Sequence, residues 1–121
     1  MREIKFRGYS YLVKEWVYGY LYNNNDQWYI GTKELDYMVV PESIGEFTGK
    51  VDCNDKEIYE GDIVTRNYFS PQEGFCVVFF DDAAFLLDNI NSSWFDAWYS
   101  HERWGELEVV GNIYESPEIL E

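Results

Sequence analysis

Apolar and polar positions alternate with a period of two along much of this chain, the signature of half-buried strands. Ile4-Lys5-Phe6-Arg7 shows the pattern first. Trp16 to Tyr22 repeats it with aromatics: Trp16, Tyr18, Tyr20 and Tyr22 share one face, Val17 and Leu21 the other. Gly19 inside this run marks a bulge or a close backbone approach. Asn23-Asn24-Asn25-Asp26 supplies residues that tolerate left-handed backbone, so Gln27 to Ile30 is predicted to return as the partner strand of a hairpin. Thr32 to Tyr37 reads as a mostly polar loop. The apolar run Met38-Val39-Val40 after it ends at Pro41, which has no ladder donor. A single helical turn is predicted over Ser43 to Phe47.

Asp52 to Glu57 reads as a tight turn, and Glu57 to Val64 leads into a strand. After a loop over Asn67 to Gly74, the continuous apolar run Phe75 to Phe80 turns at Asp81-Asp82 into Ala83 to Leu87, a second hairpin. The pattern breaks over residues 88–105. There Ser93 is placed to cap a short helix with Asp96 three residues on, pairing Trp94 with Trp98 and Phe95 with Tyr99. Leu107 to Tyr114 reads as a closing strand ended by Ser116-Pro117. Short strands at this spacing predict a mainly β fold built around a small barrel.

Length and charge refine this picture. At 121 residues the chain matches one ordinary domain and buries roughly two-thirds of its unfolded surface. Apolar residues make up 46% and aromatics 20%, which argues against disorder despite a net charge of −14. The charge is uneven: residues 1–50 hold seven acids and six bases, residues 51–121 sixteen acids and three bases. A field of −13 over the second part repels phosphate, so direct nucleic-acid binding is disfavoured and basic protein partners are favoured. No run approaches the roughly 18 apolar residues of a membrane helix, and Met1 to Lys5 has no apolar signal core. The expectation is a soluble cytoplasmic protein, without membrane contact and with reduced cysteines.

Candidate chemistry is thin. Asp52, Asn54 and Lys56 fall on the first ligand positions of a calcium loop, but Glu57 replaces its glycine and Ile63 its final glutamate, so no metal is expected. Glu57, Glu60 and Asp62, and again Asp81-Asp82, suggest paired-carboxylate chemistry; turn residues bonding nearby backbone are the preferred reading. His101 is the only histidine, and Cys53 and Cys76 have no partner at a catalytic spacing. Without a phosphate loop, nucleophile elbow or Cys-x-x-Cys, no cofactor is implied and no enzyme is expected. Trp94, Trp98, Tyr99 and Trp104 among Asp96, Glu102 and Glu106 suit the capture of a cationic partner, against the plainer reading that these rings close a barrel end. The stripe of Trp16, Tyr18, Tyr20 and Tyr22 suits a subunit interface equally well.

Five pieces in order resemble the YopX family of phage and prophage proteins. They are Ile4 to Arg7; Trp16 to Gly19; Thr48-Gly49 with Asp52 and Asn54; Glu57 to Val64; and Val109 to Glu115. The resemblance implies an N-terminal β extension over residues 1–47 and an SH3-like β-barrel over residues 48–121. It implies Gly49, Asp52, Asn54, Gly61 and Asp62 as turn residues, and no activity. Asp55 departs from the pattern, which has glycine there; aspartate also tolerates positive φ. Residues 88–105 fall outside the matched pattern. The expected function is therefore a non-enzymatic accessory protein acting through protein contact or self-association. The alternative is an acidic inhibitor that mimics nucleic acid before a host DNA-binding protein.

Overall fold

A computed structural model describes residues 3–66, 75–81, 84–88 and 101–120. The chain divides into two compact units, Met1–Phe47 and Thr48–Glu121. Ten antiparallel strands and short 3-10 turns make up the described residues, so the protein is mainly β.

The first unit contains β1 (Phe6–Ser10), β2 (Glu15–Asn24), β3 (Gln27–Gly31), β4 (Asp36–Met38) and the start of β5 (Gly45–Val51), in the order β4-β3-β2-β1-β5. The ten residues of β2 serve two partners: 15–19 pair with β1 and 20–24 with β3. Gly19 sits at the changeover. A Cβ there would overlap the Gly31 carbonyl oxygen, so only glycine lets the two strands come this close. β2 runs on through Asn24, further than predicted, because Asn25 and Asp26 alone form the turn. Their φ values of 53° and 65° are those of a type I′ turn, whose twist suits a two-residue hairpin.

β4 begins at Asp36, inside the predicted polar loop. Thr32 Oγ1 donates to the Leu35 carbonyl at 2.7 Å and accepts from the Glu34 and Leu35 amides, which tightens the loop and frees Asp36 to pair with Gly31. The strand ends at Met38. The predicted helical turn over Ser43 to Phe47 is instead a 3-10 turn at Pro41–Ser43, closed by Ser43 Oγ donating to the Val40 carbonyl at 2.6 Å. Proline presets φ at the start of such a turn. Gly45 and Glu46 pair with Arg7 and Phe6. Val17, Ile30 and Val39 form the core, with Phe6, Leu21, Tyr37 and Ile44 against them.

The second unit contains the rest of β5 with its partner β6 (Glu57–Tyr59), and β7 (Asp62–Arg66), β8 (Phe75–Asp81), β9 (Ala84–Asp88) and β10 (Leu107–Asn112) in the order β10-β7-β8-β9. Glu57 to Val64 is two strands, because Gly61 at φ 91° reverses the chain between β6 and β7. β8 repeats the division of β2: residues 75–77 pair with β7 and residues 77–81 with β9. A 3-10 turn at His101–Glu106 precedes β10, as one precedes β5. β10 stops at Asn112, whose Oδ1 accepts the Tyr114 and Glu115 amides at 3.0 and 2.8 Å. Ile58, Val64, Cys76, Val78, Phe85, Leu87, Trp104 and Leu107 form this core, with Val109 against it. The predicted loop over Asn67 to Gly74 and the predicted helix after Ser93 lie outside the described residues.

The sequence also repeats at the corresponding place. Glu42-Ser43-Ile44-Gly45-Glu46-Phe47 and Glu102-Arg103-Trp104-Gly105-Glu106-Leu107 share Glu-x-Φ-Gly-Glu-Φ, where Φ is apolar. Each copy runs from a 3-10 turn into an antiparallel strand, β5 beside β1 and β10 beside β7.

Candidate functional site

Of the aromatic and acidic residues singled out for partner binding, Trp94, Asp96, Trp98 and Tyr99 lie outside the described residues. Glu102 belongs to the 3-10 turn before β10. Trp104 is a core residue, 1% exposed, in the buried cluster that includes Val64 and Leu107. A ring so enclosed has no face to offer a partner, and its truncation would be felt as a large cavity.

The turn residues assemble a backbone clamp. Asp52 is 3% exposed. Its Oδ1 accepts the Asn54 and Lys56 amides at 2.8 and 2.9 Å, and its Oδ2 accepts the Val109 amide at 2.9 Å. Asp55, at the tip, has φ 62°, and its amide donates to the Asp52 carbonyl at 3.0 Å. Thr48 Oγ1 donates to the Ile58 carbonyl at 2.8 Å, and Gly49 follows at φ 87°. Asp62 is 1% exposed, and its Oδ2 accepts the Tyr59 amide at 2.7 Å. The Gly61 amide donates to the Val78 carbonyl and its carbonyl accepts the Ile113 amide, at 2.8 and 2.9 Å. Carboxylates engaged in this way hold loops in place through charge-assisted bonds. Among the described residues no three of His, Cys, Asp and Glu converge as metal ligands.

The first unit presents a different surface. Residues facing one way on β2 meet those facing the same way on β3 and β4 through the register Tyr20↔Gly31, Tyr22↔Tyr29, Tyr29↔Met38 and Gly31↔Asp36. Tyr22 lies between Tyr20 and Tyr29, with ring centroids 5.7 and 5.3 Å away and planes inclined by 25° and 12°. The Tyr20 ring covers Gly31, where a Cβ would collide with it. Tyr18 and Tyr20 remain 47% and 58% exposed. At the other end of the face Trp16 meets Tyr9 edge-on at 5.6 Å, and the buried Arg7 guanidinium lies 4.9 Å from the Trp16 ring centre. The Tyr22 hydroxyl donates to Asp36 Oδ2 at 2.6 Å. That bond, with desolvation and the carboxylate charge behind it, pushes the Tyr22 phenol up to about 12.

Sequence reading found Tyr18, Tyr20 and Tyr22 but missed Tyr29 and Asp36. The signal for Tyr29 was present: a two-residue turn at Asn25-Asp26 fixes Asn24 opposite Gln27 and therefore Tyr22 opposite Tyr29. Asp36 depended on the Thr32 loop and had no comparable signal.

A sequence profile of the YopX protein family matches residues 5–121. The chain belongs to the YopX family. The match includes both the Asp52 clamp and the tyrosine face. No curated protein matches the sequence. Among solved structures, the crystal structure of protein EF1440 from Enterococcus faecalis is similar over the whole of both chains, with a TM-score of 0.56 and 21% identity. At that identity the likeness is one of fold. No helix among the described residues is long and apolar enough to cross a membrane.

Proposed function

We propose that this YopX-family chain is a non-enzymatic accessory protein that acts by binding another protein, and that its first unit carries the contact. The observation that supports the reading most is the tyrosine face. Tyr18 and Tyr20 are exposed large aromatics on a sheet, backed by stacked rings that are already ordered. Aromatic residues of this kind dominate protein interfaces because they bring large contact area at little cost in rotamer entropy. Two acids weighed earlier support it from the other side: Asp52, considered as a calcium ligand, and Asp62, considered for paired-carboxylate chemistry, are buried with oxygens committed to backbone amides. Those two also reduce the carboxylates available for mimicry of a phosphate array. A phage or prophage setting rests on the family resemblance.

We also infer that each unit is a small SH3-like roll. Supporting this are the matching runs β4-β3-β2-β1-β5 and β9-β8-β7-β10, the division of β2 and of β8 between two partners, and the 3-10 turn with its Glu-x-Φ-Gly-Glu-Φ sequence before β5 and before β10. On this reading residues 1–47 are a second copy of the architecture and not an appendage.

The test is affinity purification from host cells with the unaltered chain and with a Tyr18→Ala, Tyr20→Ala double variant whose fold is verified by circular dichroism. Loss of a partner from the double variant is expected. Identical partner sets would remove the tyrosine face from the account.

A further inference from the structure

We propose that the tyrosine face of the first unit packs against the same face of a second copy of this chain, as a weak two-fold dimer. The proposal rests on the protein-contact reading above and names the partner. Three properties lead to it, and the area of the face sets its strength.

The first is the engagement of the charges on the face. The strand register puts Tyr9, Trp16, Tyr18, Tyr20, Tyr22 and Tyr29 on one side of the sheet. Two charged residues of β1 to β4 share that side, Arg7 and Asp36. Both are engaged within the unit: Arg7 is buried with its guanidinium against the Trp16 ring, and Asp36 takes the Tyr22 hydroxyl. Interface cores are depleted in charge and enriched in aromatic rings, and those between identical chains are the more apolar.

The second is self-complementarity. In a two-fold contact a surface meets its own copy, so its groups must suit their own kind. Carboxylates and guanidiniums fail that condition, because like charges repel. Tyrosine meets it, since the hydroxyl both donates and accepts and rings pack on rings. The unit already shows such packing, with Tyr22 stacked between Tyr20 and Tyr29. Rings ordered in this way lose little side-chain freedom on association.

The third is the distribution of charge along the chain. Residues 1–50 carry −1 and residues 51–121 carry −13. Copies meeting through the acidic part would set those charges against each other, whereas meeting through the first unit brings almost none together. A basic partner is drawn to the acidic part and gains nothing from the tyrosine face.

The ten residues of β2 have β1 beside their first half and β3, followed by β4, beside their second. At about 3.4 Å per residue and about 4.8 Å per strand, the face spans roughly 400 Å². A standard interface takes about 800 Å² of accessible surface from each partner, so the expected dissociation constant is only about 50 μM.

The experiment is analytical ultracentrifugation of the full chain over a concentration series from about 1 to about 500 μM. Monomer at the low end and dimer at the high end are expected. Added salt should tighten the dimer by screening the like net charge of the two copies. Tyr18→Lys and Tyr18→Glu should each weaken it at least about tenfold, and an equimolar mixture of the two should restore it. NMR signal dispersion verifies that both variants are folded. Val51→Lys, at an exposed place on the second unit, should leave the dimer unchanged. Three outcomes overturn the proposal: a monomer at every concentration, a dimer that dissolves as salt is raised, or a dimer that survives both Tyr18 substitutions. A monomeric chain whose Tyr18→Ala, Tyr20→Ala variant still loses a host partner would discard the second copy and leave the protein-contact reading standing. A monomeric chain whose double variant keeps every host partner would remove both.

Discussion

The Asp52 carboxylate and the Val109 amide, 57 positions apart in sequence, are joined by a 2.9 Å hydrogen bond from the amide to Oδ2. One residue further on, the Cys53 amide donates to the Leu107 carbonyl at 2.8 Å. A turn thus takes the place of a neighbouring strand along part of β10. Covering an edge in this way satisfies backbone groups that would otherwise invite pairing with another chain.

Removing that carboxylate has a calculable consequence. Asp52→Ala leaves three amide donors without their acceptor, at exposed Asn54 and Lys56 and at half-buried Val109, and the expected loss is roughly 1–3 kcal/mol of unfolding free energy. Asp52→Asn should lie between, because one amide oxygen can still serve Asn54 and Lys56 while the –NH2 faces the Val109 donor. Denaturant unfolding followed by tryptophan fluorescence checks the order. Equal stability of Asp52→Ala and the unaltered chain would show that the clamp is not needed.

Asp55 offers the opposite sign. Its φ of 62° is a conformation glycine adopts without strain. Asp55→Gly should raise stability by about 0.5–1 kcal/mol, despite the greater freedom glycine gives the unfolded chain. A fall in the denaturation midpoint would mean that the aspartate contributes more than its backbone strain takes away.

Gly19 and Gly31 should respond differently to alanine. A Cβ at Gly31 meets the Tyr20 ring, which can swing outward, so a loss of roughly 1–3 kcal/mol is expected. At Gly19 the obstacle is the carbonyl of Gly31, which cannot move without breaking the β2–β3 ladder. Gly19→Ala should therefore be the more damaging of the two. Comparable thermal unfolding of both variants would contradict the close approach.

Tyr22 provides a pH signature. Its phenol is raised from 10.0 to about 12, so the folded chain holds that proton more tightly than the unfolded one. The resulting contribution is complete below pH 10 and is lost as pH rises to about 12. Asp36→Asn should bring the phenol back toward its ordinary value, since the carboxylate is the main cause of the shift. Titration of 13C-labelled tyrosine rings reads this directly, and an unshifted Tyr22 in the unaltered chain would rule the bond out in solution.

Much of the fold was legible from period-two patterning, which reports local geometry: Trp16 to Tyr22 and Phe75 to Phe80 announce strands because their side chains must alternate. A turn within Asn23 to Asp26 was legible because asparagine and aspartate tolerate left-handed backbone, although only Asn25 and Asp26 adopt it. What escaped was set by distant partners. Asp36 is a strand residue only because Thr32 closes the loop before it, and Gly45 to Phe47 extend only because β1 lies alongside. Trp104 illustrates the limit for sites: a tryptophan among acids resembles a cation trap in sequence, and burial in the second unit's apolar cluster makes it core. The repeat of Glu-x-Φ-Gly-Glu-Φ is too short to stand out until the strands around each copy show the same order.

The central claim is that Tyr18 and Tyr20, on the first unit, meet the protein partner. It is tested most directly by replacing each in turn with p-benzoylphenylalanine in living host cells and irradiating. Val51, an exposed residue of the second unit, serves as the comparison. The account predicts a discrete crosslinked partner from positions 18 and 20 and none from position 51. Crosslinks from position 51 alone, or from none of the three, would contradict it.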